Sequence, residues 1–179
     1  MHPPEATPLA RIAREVTPNC PAAAISACVM AGGALAHVWL VGGTMTGEHT
    51  VQVYYEDTDF SGLVYHANYL KFFERAREHL LGRERLVELW DVQEIGFVVY
   101  RASMNFREGA KFGDILQIRT TVTLQSAYRA CFHQSAWREG GERALVDAEI
   151  DLVCVDRSER LVALPDVVRR LITESPAGS

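Results

Sequence analysis

Tyr55, Asp59 and His66 lie in one short stretch, Val51 to Tyr69, whose pattern changes twice. Val51, Val53 and Tyr55 alternate with Gln52 and Tyr54, as in a strand. Asp57 to Gly62 carries the polar residues and the glycine of a turn, and from Ala67 the spacing becomes helical. Asp59 is thereby predicted on the loop that feeds a helix N-terminus. The first amides of a helix have no intrahelical partner and form a small positive pocket, able to hold a developing oxyanion. A carboxylate beside such a pocket can attack a carbonyl or deprotonate water. The alternative is that Asp57 or Asp59 only shapes the turn.

The neighbouring side chains are open to more than one role. His66 can transfer a proton, orient Asp59, or begin the helix and contribute its amide. Tyr55 precedes Asp59 by an even number of residues, so its hydroxyl can orient the carboxylate, or the ring can be a half-buried strand aromatic. His79 reads as packing or interface, and His133 as structural. No G-x-S-x-G occurs, and no cysteine stands in a nucleophile's setting. Cys20, Cys28, Cys131 and Cys154 are far apart without C-x-x-C or His-rich spacing, which indicates neither a disulfide framework nor zinc. Glu56, Asp57, Asp59 and His66 follow no coordination motif, so no metal is expected.

Tyr54-Tyr55-Glu56-Asp57-Thr58-Asp59, then Gly62, then Val64-Tyr65-His66-Ala67-Asn68-Tyr69 resembles the signature of the 4-hydroxybenzoyl-CoA thioesterase-like hotdog family. Within it, the likeness is to the bacterial short-chain acyl-CoA thioesterase branch associated with the Tol-Pal system. The resemblance implies that Asp59 is the catalytic carboxylate, that Tyr55 lines the site beside it, and that His66 starts the central helix and offers its amide to the thioester oxygen. Phe60-Ser61 stands where the family commonly has a small Ala-Gly pair, a departure that bears on the acyl pocket and not on the reaction class. A thioester is already activated, so one carboxylate and helix-terminal amides suffice. Whether Asp59 attacks directly or activates water is open at this level.

By the same resemblance the substrate is a short-chain aliphatic or aromatic acyl-CoA, split to free acid and CoA. No cofactor is expected, coenzyme A being part of the substrate. A homodimer or homotetramer with active sites at the subunit boundary is implied. The alternative is a non-catalytic hotdog adaptor, holding acyl-CoA or acyl carrier protein beside the cell envelope. Isolated cations such as Lys111 or Arg129 would have to meet the phosphates, because no Walker loop or G-x-G-x-x-G is present.

The elements that must position these residues follow from periodicity. Tyr69, Phe72, Phe73, Ala76, Leu80 and Leu81 share one helical face, with Lys71, Glu74, Arg75, Arg77 and Glu78 expected to point away. Gly82 is a plausible stop, and a short helix is predicted over Glu84–Trp90. Phe97–Phe106, Ile115–Leu124, Tyr128–Trp137 and Arg143–Val155 read as strands, with Gly140-Gly141 turning the last pair. Pro165 opens a final helix, Asp166–Thr173. One apolar-striped helix and about five strands predict an α+β domain, a curved antiparallel sheet wrapped around one long central helix, which is the hotdog fold of the family.

The chain of 179 residues suits one core, and a net charge of −5 without a basic run argues against nucleic acid as a partner. The domain is expected at 49–174, followed by a frayed tail at 175–179. Residues 1–48 read as a poorly ordered or apolar extension, with Met1–Pro21 unstructured and a marginal helix in the run Ala22–Val41. Arg11 and Arg14 ahead of that run leave export or membrane attachment as a second reading. A start at Met45 is the preferred one, and with it a cytoplasmic enzyme.

Overall fold

The computed structural model describes Cys28–Val29, Val38–Val41 and residues 44–173. The expectations for Met1–Pro21 and for the tail 175–179 lie outside these described residues. The elements run β1 (Cys28–Val29), β2 (Val38–Val41), β3 (Thr44–Gln52), a 3-10 turn (Tyr55–Asp57), α1 (Asn68–Leu81) and α2 (Arg83–Asp91). Then come β4 (Ile95–Phe106), β5 (Ile115–Leu124), β6 (Arg129–Arg138), β7 (Ala144–Asp156), β8 (Leu161–Val162) and α3 (Asp166–Thr173). All pairings are antiparallel, in the order β1-β2-β3-β5-β6-β7-β4, with β8 added on β7.

The alternation of the strands decides which face of the sheet takes the helix. Leu116, Ile118 and Val122 of β5, Phe132 and Ala136 of β6, and Val146, Ile150 and Cys154 of β7 are buried in one cluster with Tyr69, Phe72, Phe73, Ala76, Leu80 and Leu81 of α1. A one-residue slip of any of these strands would turn its apolar set outward, so the core fixes the register. Gly82 ends α1 at φ 89°, a left-handed value that glycine adopts without the Cβ penalty. The expected sheet around one helix is present as β3 to β7 around α1.

Four local features differ from the sequence reading. The first strand spans Thr44–Gln52, earlier than expected, with Met45 in the core, so it crosses the boundary placed at 49. Tyr55 is consequently not a strand residue: the Asp57 carboxylate accepts from the Tyr54 amide at 2.9 Å, and the chain folds into the 3-10 turn there. Val38–Val41, in the run expected to be weakly helical, is a strand that pairs with β3 from Val38↔Gly47 to Val41↔Thr44.

Arg77, expected to face solvent, is buried. It donates to Gln134 Oε1 at 2.8 Å and lies over the Phe132 ring, while Gln134 donates to Thr120 and to the Phe73 carbonyl. A polar network on the sheet thus draws into the core a helix position that periodicity alone assigns to the surface. No helix among the described residues is long and apolar enough to cross a membrane.

Candidate active site

The segment between β3 and α1 is a small hairpin held on three sides. Thr58 pairs with Val64, the Tyr65 amide donates to the Asp57 carbonyl at 2.8 Å, and the Asp59 amide donates to the Leu63 carbonyl at 2.8 Å. At the tip the Gly62 amide donates to the Asp59 carbonyl, closing a turn with Gly62 at φ 76°. Below it the Val64 amide donates to the Ala110 carbonyl, Leu63 bridges to Lys111, and the Ala110 amide donates to the Tyr69 hydroxyl at 3.1 Å. Gly109 leaves room for the Leu63 side chain, because a Cβ there would meet Leu63 Cδ1 at 2.8 Å and displace it. The buried Asn68 side chain, donating to the Asp57 carbonyl at 3.0 Å, ties the start of α1 to the same loop.

This clamp sets Asp59 on an exposed tip. One of its oxygens, Oδ1, accepts the Ser61 hydroxyl at 2.5 Å and the Ser61 amide at 2.8 Å. Those bonds, the hydroxyl first, hold the carboxyl below its ordinary range, and the nearby His66 adds to the effect. Asp59 is therefore an anion at neutral pH. In the sequence Ser61 stands out only as a departure from the family pattern, yet it is the residue that fixes the carboxylate. The signal for it was the Asp-x-Ser spacing, which favours a side chain folding back on its own turn.

Asp57, two residues away, is buried and spends its carboxylate on the turn.

The amides expected to bind an oxyanion are free. The His66 and Ala67 N–H groups make no hydrogen bond among the described residues. Helix α1 begins without a side-chain cap and without an acidic residue in its first turn, so nothing in the chain neutralises its positive end. The His66 ring packs against Tyr65 at 4.3 Å and edge-on to Phe106 at 6.4 Å. It makes no hydrogen bond to Asp59.

Tyr55 is brought less close in function than in sequence. Its ring is exposed and meets Phe112 edge-on at 6.4 Å, with no hydrogen bond from its hydroxyl to Asp59. Arg129, one of the two cations considered for phosphate, is buried against Asp151 at 3.4 Å, on the sheet. Lys111 is exposed and adjoins the hairpin through Leu63.

The sequence profile of the Thioesterase-like superfamily matches residues 53–172, from the end of β3 through α3. The chain belongs to this superfamily. It is 37% identical over 122 residues to the acyl-CoA thioesterase YbgC of Haemophilus influenzae, covering 66% of this chain and 88% of that protein. It is 32% identical over 120 residues to a 1,4-dihydroxy-2-naphthoyl-CoA hydrolase of Synechocystis, covering 66% and 86%. Among solved structures, Slr0204, a 1,4-dihydroxy-2-naphthoyl-CoA thioesterase from Synechocystis, aligns with a TM-score of 0.66 at 28% identity, over 71% of this chain and 95% of its own. The sheet and α1 are thus the hotdog fold of a thioesterase, and the match contains the whole hairpin that carries Asp59.

Proposed function

We propose that this thioesterase hydrolyses acyl-CoA thioesters with short-chain aliphatic or aromatic acyl groups, Asp59 being the reacting carboxylate. The observation that carries the reading is an ionised Asp59 on a hydrogen-bonded hairpin, followed by uncapped amides at the start of a helix whose apolar face is buried. The thioester oxygen is received by the His66 amide, which stabilises charge as it develops on that oxygen. Asp59 then either attacks the carbonyl, giving a mixed anhydride that water opens, or takes a proton from the attacking water. In both routes the C–S bond breaks, CoA leaves as the thiol, and the acyl group leaves as the free acid. Tyr55 and Phe112 offer aromatic surface to the acyl group, and Lys111 a charge to the CoA phosphates. CoA is part of the substrate, and no further cofactor is required by this chemistry.

The assembly completes the site. Among the described residues strand β4 pairs with β7 alone, so its other edge has no partner among them, and Tyr55, Phe60, Tyr65, Phe106 and Phe112 stand exposed around the hairpin. Both features support a homodimer or homotetramer joined across β4, with the active site at the boundary. We place the enzyme in the cytoplasm, where CoA is found, with peripheral association at the envelope or with acyl carrier protein as the further step. A pure adaptor would have no use for a carboxylate at the thioester.

The test is Asp59→Asn, which preserves size but removes the charge. Turnover is expected to fall by at least about 10²–10⁴-fold, while acyl-CoA binding persists, since the amides and the pocket remain. Near-normal hydrolysis by this variant would overturn the mechanism.

A further inference from the structure

The face of the sheet turned away from α1 carries a cluster that the hydrolase does not use. Cys131 and His133 are two residues apart on β6 and therefore share that face. Glu149 of β7 stands directly opposite His133. Their ligand-type atoms, Sγ, an imidazole nitrogen and a carboxylate oxygen, all lie within 4.8 Å of one another. The Cys131 Sγ to His133 Nε2 separation is 3.6 Å. Zinc bonds of about 2.3 Å to sulfur and about 2.0 Å to nitrogen, at a tetrahedral angle, put the two ligand atoms roughly 3.5 Å apart. The free chain already holds sulfur and nitrogen at a zinc spacing.

The surroundings suit an ion as well. His133 and Glu149 line a groove of about 410 Å³ on the sheet, together with Ser103, Thr121, Ser135 and Asp147. Glu149 gives Oε1 to Arg101 at 3.0 Å, which leaves its other oxygen for a metal. Thr123, in register with Cys131 across β5 and β6, has a buried hydroxyl oxygen without a hydrogen-bond partner. Sharing a face and a register with Cys131, that unpartnered hydroxyl is a candidate for the kind of outer contact that orients and tunes a ligand.

We infer that Cys131, His133 and Glu149 form a site for one zinc ion per chain, with its fourth position open to the groove. Binding exchanges the S–H bond for an S–Zn bond and releases the proton to solvent, with no change of oxidation state. The ion then clips β6 to β7 on the face opposite the reaction.

The experiment uses the full chain, freed of metal with a chelator and titrated with cobalt(II), which reports its ligands by colour. One equivalent should give a thiolate-to-cobalt charge-transfer band and the intense visible bands of a tetrahedral ion, and zinc should displace both. Cys131→Ser should remove the charge-transfer band although Cys20, Cys28 and Cys154 remain, whereas Cys154→Ser should keep it. The exposed His133→Gln, which leaves the core untouched, should weaken binding at least about tenfold, the scale of losing even an outer-shell partner. No thiolate band, a band that survives Cys131→Ser, or affinity unmoved by His133→Gln would each overturn the site.

Discussion

Asp59 owes its charge to a residue two positions on. Because Ser61 donates twice to one oxygen, the other remains free to face a substrate, and an exposed carboxylate is kept from collapsing onto the turn. Asp57 shows the opposite use of the same side chain: its carboxylate closes the 3-10 turn, so Asp57→Ala should cost about 0.5–2 kcal/mol of stability, as lost caps do. The amide of His66 is open to a sharper test. His66→Ala keeps the N–H and should keep part of the activity, while His66→Pro deletes it and should lose about 10²–10³-fold in turnover. Steady-state kinetics on variants matched by melting temperature would decide; equal losses would assign the role to the imidazole. The placement of Asp59 and His66 on the loop before a helix is legible in the sequence because a turn followed by a change of period is a local pattern, while their roles come only from the family resemblance. Tyr55 and Arg77 were misplaced because what moves them, the Asp57 side chain and Gln134 on a distant strand, is not local.

Between elements, the contact of β3 with α1 contains a stacked pair of histidines, one of which has a shifted pKa. His49 stacks on His79 with ring centroids 4.1 Å apart and an interplanar angle of 22°. Burial, then the charges of His79 and Arg75, lower the His49 pKa from 6.5 to about 4. Between those values the unfolded chain binds a proton that the folded chain refuses, so stability falls as pH drops from about 6.5 to about 4 and levels off below. His49 is partly exposed, and after allowance for solvent screening the loss is about 1 kcal/mol. Chemical denaturation across that window should show the slope, and His49→Gln should flatten it.

This pairing was invisible in the sequence, where His79 read only as packing or interface. By contrast β5 and α3 occupy the predicted Ile115–Leu124 and Asp166–Thr173, since unbroken alternation and the flanking Pro165 are enough to bound them.

For the whole molecule, the question at the amino end is how much of the sheet the domain needs. β3 pairs with β5 along its full length, from Thr44↔Thr123 to Gln52↔Ile115, whereas β2 adds only four residues to its outer edge. A chain starting at Met45 should therefore fold, melt within a few degrees of the full chain, and retain full turnover per site. Paired melting and kinetic measurements on both forms check this; a large loss in either would make the first strands part of the working domain. The strand nature of Val38–Val41 escaped periodicity because β3, which templates it, lies on the other side of the expected boundary.

At the other end of the sheet, β4 is long, bonded on one side among the described residues, and next to an exposed aromatic rim. If a second chain supplies the missing cover, output is a property of pairs. Diluted near its dissociation constant, such an enzyme loses activity faster than it loses molecules, and its rate climbs with a power of concentration above one. A cell could then raise hydrolysis steeply by making somewhat more of the chain, with no effector and no change in any single fold.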